Sequence, residues 1–201
     1  MRTATVNVFQ FGELAPRAKE KARAWYRQGA FDHDWWEFTV EDAKTCFKLV
    51  GFDISNVPFS GFSSQGDGAC FEGTWRARDV KPGELQKHAP EDEELHRIAA
   101  GFEAVAKQYP GAFFKVRHSW HHYHQYSATF EFEFLDNEGN EIEDVRTAEK
   151  DLIDLARAAM KWTYRQLEKE YEYQSSDEQV DVSIEANEYE FTDDGKRWTR
   201  T

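Results

Sequence analysis

Four of the seven histidines fall within one short run, His118, His121, His122 and His124, interleaved with Trp120, Tyr123 and Tyr126. Imidazoles at that density point to metal ligation or proton transfer, the two tasks histidine serves most often near neutral pH. On a strand, alternation places His118, Trp120, His122, His124 and Tyr126 on one face, with His122 and His124 as neighbours. Zinc requires a third ligand and usually a fourth, with acceptors that orient each ring. Asp67, Glu72 and His33 are the residues able to supply one, and no spacing ties them to the run. The expectation is a half-exposed polar and aromatic sheet face without a stoichiometric metal. Were a metal bound there, His122 and His124 would hold it.

A second constellation runs from Phe59 to Phe71, with Gly61, Gly66 and Gly68 among Ser60, Ser63, Ser64, Gln65 and Asp67. Glycines permit positive φ, and successive backbone amides in such a loop can cradle an anion. A phosphate loop carries Lys or Arg and leads into a helix. This one carries Asp67 and leads into a strand pattern. It predicts a shaped hairpin loop that depends on its glycines more than on the Asp67 side chain. Any functional contact from Ser64, Gln65 or Asp67 would be to a partner's backbone.

Complete catalytic signatures are absent: the chain has no GxSxG elbow, Walker motif, HExxH or paired CxxC. Cys46 and Cys70 lie far apart without metal spacing and read as reduced thiols. Cys70 beside Phe71 reads as a small core residue. The carboxylates show no spacing that singles out an acid–base couple. A non-enzymatic protein without a cofactor is expected.

The third feature is charge. The net charge is −13, and residues 131–201 hold 21 acids against 9 Lys and Arg, which places almost all the excess in the C-terminal third. Between Arg165 and Gly195, eleven acids face two bases. Such a surface repels nucleic acid and attracts basic protein surfaces, including the nucleic-acid channels of other proteins. Glu168, Glu170, Glu172, Asp177, Glu178 and Asp181 are the candidate contact residues. The expectation is a soluble cytoplasmic protein: no apolar run reaches the roughly 20 residues of a membrane span, and the first residues lack a signal core.

The elements that must position these residues follow from periodicity. Residues 3–9 alternate as an opening strand. Leu14, Ala18, Ala22 and Trp25 recur at helical spacing, with Gly29 as a stop. Trp36, Val40, Ala43, Phe47 and Val50 mark a second helix, capped by Asp34 and ended by Gly51. Strand patterns cover 52–59 and 69–78, and a helix opens at Ala89, Pro90, Glu91 and Asp92. Strands near 112–120 and 123–135, possible as one long strand, precede a long helix over 145–171. Residues 180–186 fit a short helix or strand, and Asp194-Gly195 is a hairpin signal between 189–192 and 196–199. The order predicts one α+β domain over residues 1–201, an antiparallel-rich sheet packed with three to four helices on one face.

Three stretches together carry a family resemblance: residues 6–14 with 18–27, the run Ser64-Gln65-Gly66-Asp67-Gly68-Ala69-Cys70-Phe71, and residues 186–197. The chain resembles a family of small proteins encoded by bacteriophages, prophages and plasmids, some named antitoxin of a toxin–antitoxin stability system. The resemblance spans nearly the whole chain and implies a mobile-element accessory protein, with no catalytic residues to carry over. The expected function is binding and inhibition of a host defence protein or nuclease complex, of the anti-CRISPR or antirestriction kind, through the acidic surface. Direct contact with nucleic acid or membrane is not expected. The alternatives are an antitoxin that neutralises a cognate toxin, and a metal-dependent enzyme built on the strand from His118 to His124.

Overall fold

Period-two patterning builds the main sheet. In β2 (Val50–Asn56), Val50, Phe52 and Ile54 are buried while Asp53 and Ser55 are exposed. β3 (Glu72–Val80), β4 (Phe113–His118) and β5 (Ala128–Glu133) follow, and the four pair antiparallel in the order β2-β3-β4-β5. The register sets Phe52 opposite Trp75, Trp75 opposite Phe114, and Phe114 opposite Phe132, an aromatic row across the sheet. Phe114 meets Phe52 edge-on at 5.2 Å and stacks on Trp75 at 5.6 Å. The Trp75 indole donates to the Val50 carbonyl at 2.8 Å, so its one polar atom is satisfied in the core. Burying such a side chain contributes roughly 1.5–3 kcal/mol.

This computed structural model describes residues 6–30, 34–119 and 122–199. The fold is α+β, as the element order implied. By its contacts the chain divides into two compact units, residues 37–168 and the described parts of 1–36 with 169–201.

In the larger unit, the core above the sheet is completed by α2 (Glu37–Leu49), α4 (Glu93–Gln108) and α5 (Arg146–Gln174), which supply Phe47, Phe102, Leu152 and Met160. The other sheet face carries Thr74, Arg76, Arg78, Lys115, Arg117 and Glu131, all exposed or half-buried. Asp92 caps α4 by accepting from Leu95 N at 2.8 Å, and its second oxygen accepts from the Trp162 indole at 2.8 Å. A short α3 (Glu84–His88), which no periodicity announced, precedes α4.

The smaller unit contains α1 (Pro16–Trp25), which continues as a wider turn over Tyr26–Ala30, and α6 (Asp177–Ala186). A two-residue ribbon pairs β1 (Phe9–Gln10) with β6 (Glu190–Phe191). Phe11, Ala18, Ala22, Tyr26, Val180, Ile184 and Phe191 form its core. The Asp-Gly hairpin is present: Thr192 N donates to Lys196 O, and Gly195 has φ +82°. Gly195 also lies against the Ala18 carbonyl, which a Cβ would strike.

Several boundaries differ from expectation. Val6 and Val8 are exposed coil rather than strand, and the first strand is only Phe9–Gln10; residues 3–5 lie outside the described residues. α2 begins at Glu37, three residues past Asp34, and Gly51 with φ +81° sits inside β2 instead of ending the helix. The segment left open between helix and strand is α6, capped by Ser176 accepting from Gln179 N. With α3 this brings the described residues to six α-helices. Among them, no helix is long and apolar enough to cross a membrane.

Candidate functional site

The histidine run is not one strand. β4 ends at His118 and β5 starts at Ala128, with a 3-10 turn at Gln125–Ser127 between them. His122, His124 and Tyr126 therefore lie in a connection, and the alternating face that would align them with His118 does not form. Trp120 and His121 lie outside the described residues, as does His33. The connection is closed by its own hydrogen bonds: Ser119 N donates to Ser127 O at 3.1 Å, and the Ser127 hydroxyl reaches the carbonyls of His122 and His124 at 2.5 and 2.7 Å. His124 Nδ1 accepts from Tyr126 N at 3.4 Å. Glu72, once a candidate metal ligand, instead meets His118 Nδ1 at 2.6 Å and accepts from Asn56 at 3.0 Å. Those partners, Asn56 first and His118 after it, hold the Glu72 carboxyl below its ordinary range.

The glycine loop is a hairpin connection between β2 and β3, as expected. Phe59 bridges to Ala69, Cys70 N donates to Pro58 O, and Ser60 N donates to Gly68 O. Inside it, the Asp67 carboxylate accepts from the backbone amides of Ser63 at 3.0 Å and Ser64 at 2.6 Å. These bonds, Ser64 first, pull the Asp67 carboxyl below its usual range. The amides that would cradle an anion are thus occupied by the loop's own carboxylate. The Asp67 side chain is therefore part of the loop's own hydrogen bonding. The tip, from Ser63 to Gly66, is exposed, which presents Ser64 and Gln65 to solvent.

Loop and connection meet. A Cβ on Gly68 would stand 3.0 Å from both Cα and Cδ2 of His124. His124 stacks on Tyr126 with ring centroids 5.2 Å apart, and the Arg157 guanidinium lies over Tyr126 at 4.9 Å. Tyr123 sits 5.6 Å from the His118 ring. Both tyrosines remain open to water, Tyr126 at 68% exposure and Tyr123 at 41%. On the loop side, Phe62 packs against Tyr164, whose hydroxyl donates to Gly61 O at 2.7 Å. Burial and the charges of Asp67 and Glu168 raise the Tyr164 phenol, so both carboxylates bear on it. Arg157, Tyr164 and Glu168 stand seven and four residues apart, which puts them along one face of α5.

The result is one surface built from three segments: an exposed polar loop tip, two exposed tyrosines braced by histidines, and a helix face supplying Arg157, Tyr164 and Glu168. Among the described residues, no Ser, Thr or Cys side chain hydrogen-bonds a histidine ring nitrogen. Burial pushes the thiol of Cys70 up to about 11 and that of Cys46 up to about 12, which suppresses the thiolate.

The remaining acidic candidates lie in the smaller unit, and three have internal partners. Asp181 receives a bidentate grip from Arg23, Nε to Oδ1 at 2.6 Å and Nη2 to Oδ2 at 2.7 Å. Asp177 pairs with Arg27 at 2.5 Å and Arg23 at 3.3 Å, and Arg27 also donates to Ser175 O. Glu170 accepts from Gln174 at 2.7 Å. Glu172 and Glu178 are exposed and, among the described residues, make no ion pair. The two arginines were missed in the sequence, although Arg23/Arg27 and Asp177/Asp181 form matching i,i+4 pairs.

One family model matches residues 35–177, described as a domain of unknown function, DUF8835. The chain belongs to the DUF8835 family. The matched stretch contains the whole glycine loop, the histidine connection and the α5 face of this DUF8835 chain, while Arg23 and Arg27 lie before it. No curated protein and no solved structure matches the chain.

Proposed function

We propose that this DUF8835 protein is a non-enzymatic accessory protein of a mobile genetic element that binds and inhibits a host defence protein of the anti-CRISPR or antirestriction kind. The observation that carries this reading is Tyr126, exposed yet held in place between His124 and Arg157 beside the exposed loop tip. Tyrosine is enriched among the residues that dominate binding energy, and a braced ring loses little freedom on docking. Ser64, Gln65 and Tyr123 extend the contact, and Asp67 and Glu168 set its sign. In the smaller unit, Glu172 and Glu178 are among the exposed acids available to a basic partner. The net charge of −13 favours a target that exposes a nucleic-acid-binding surface.

The antitoxin reading draws on the same surface and differs in the target. The metal-dependent reading required a histidine strand, and β4 stops at His118.

The test is to mix the purified protein with purified defence nucleases, both restriction enzymes and CRISPR effectors, and follow complex formation and cleavage together. A stoichiometric complex with one of them, accompanied by loss of cleavage, is the expected result. Full cleavage by every nuclease, with a complex formed only with a co-encoded toxin, would replace this reading by the antitoxin one.

A further inference from the structure

We propose that Asp42, Cys46 and His88 form a site for a divalent transition metal of the zinc class, separate from the tyrosine surface. The donor atoms of these three residues all lie within 4.8 Å of one another. Asp42 Oδ1 and His88 Nε2 are 3.5 Å apart. Two ligands on a tetrahedral zinc, with bonds of about 2.0–2.3 Å, stand roughly 3.3–3.8 Å from each other. The oxygen–nitrogen pair is therefore already at ligand spacing, and the Cys46 sulfur lies within 4.8 Å of both atoms.

The fold accounts for the grouping. Asp42 and Cys46 are four residues apart on α2, which sets them one above the other on a single helix face. α3 follows Gly83, whose φ of +76° starts the short helix and delivers His88 at its end. Cys46 is buried, whereas the side chains of Asp42 and His88 are 64% and 39% exposed. An ion would rest on the sulfur from the solvent side, with the carboxylate and imidazole closing over it.

The donor set selects the ion. One sulfur, one nitrogen and one oxygen form a borderline set that suits Zn2+ or Co2+ and disfavours Mg2+ and Ca2+, which take oxygen ligands. Three protein ligands leave a fourth position for water or for a partner's side chain. Binding displaces the thiol proton, so each ion bound releases a proton to solvent. It would also tie α3 to α2.

The experiment is a titration of the metal-free protein with Co2+, followed by displacement with Zn2+. The expected result is a saturable thiolate-to-cobalt charge-transfer band at one equivalent, abolished by Zn2+. Cys70→Ser should retain the band and Cys46→Ser should lose it. Since Cys46 is a core position, the exposed-site variants Asp42→Asn and His88→Gln carry the test independently, each weakening binding by about tenfold or more. Absence of the band in the parent protein overturns the site. So does a band that persists unchanged in both exposed-site variants.

Discussion

Gly68 touches His124: a Cβ at residue 68 would stand 3.0 Å from the His124 Cα. This contact ties the loop to the histidine connection, and part of it is backbone rather than the end of a flexible side chain. Gly68→Val should destabilise the protein by about 1–3 kcal/mol through overpacking and shift the connection that carries Tyr126. Gly66 has φ +96° with open space around its Cβ, so Gly66→Val costs about 1–2 kcal/mol of local strain and leaves Tyr126 in place. Urea unfolding and the NMR resonances of the Tyr126 ring check both. Equal effects of the two substitutions on the Tyr126 signal would contradict the contact's role.

Asp67 organises the loop from within. Removing its carboxylate in Asp67→Ala strands the amides of Ser63 and Ser64, and their hydrogen exchange should accelerate while the sheet stays protected. Because the folded-state carboxyl is held below its ordinary value, its stabilising contribution is present at neutral pH. That contribution is lost as pH falls through the depressed pKa, below about 4. Ser63 and Ser64 amides whose protection, corrected for the intrinsic rate at each pH, changes with neither the substitution nor acid would contradict this.

In the smaller unit, internal and external acids should separate by their effect on folding. Asp181→Ala removes two charge-assisted bonds from Arg23, whose side chain is only 15% exposed, and should cost about 1.5–3 kcal/mol. Glu172→Lys and Glu178→Lys, at exposed positions, should leave the melting temperature nearly unchanged. Thermal unfolding of the three variants decides it. A melting temperature lowered as much by Glu178→Lys as by Asp181→Ala would mean that the acidic row is structural throughout.

Both thiols should be inert in the folded, metal-free protein. Burial raises Cys46 to about 12 and Cys70 to about 11, so at mildly alkaline pH an aromatic disulfide reagent should react only after denaturant is added. Rapid native-state labelling of either residue would show that its core opens readily.

The α+β class and the long helix could be read from periodicity, because the stripe through Leu152, Ala159, Trp162 and Leu167 reports burial directly. The Asp194-Gly195 turn could be read too, since its chemistry is local. The histidine run could not. Period-two alternation continues through His118, Trp120 and His122, and the end of β4 is decided by hydrogen bonds from Ser119 and Ser127 within the connection. The meeting of Gly68 with His124 is tertiary and leaves no mark on spacing. Similarly, composition shows the acids after Glu168 but not that Asp177 and Asp181 face arginines of α1 and the turn that follows it. The short α3 was hidden because Leu85 is its one buried residue.

In the proposed function, the exposed tyrosine surface and its acidic flank bind a basic defence protein. The most direct measurement is the affinity for the nuclease found in complex, at low and high salt, for the parent protein, Tyr126→Ala and Glu168→Lys. A central aromatic anchor predicts about 30-fold weaker binding for Tyr126→Ala with folding unchanged. Glu168→Lys should slow association chiefly at low salt, since the Debye length falls from about 8 Å at physiological ionic strength to about 3 Å at 1 M. An affinity indifferent to Tyr126→Ala, Glu168→Lys and salt alike would contradict the account and move the working surface elsewhere on the chain.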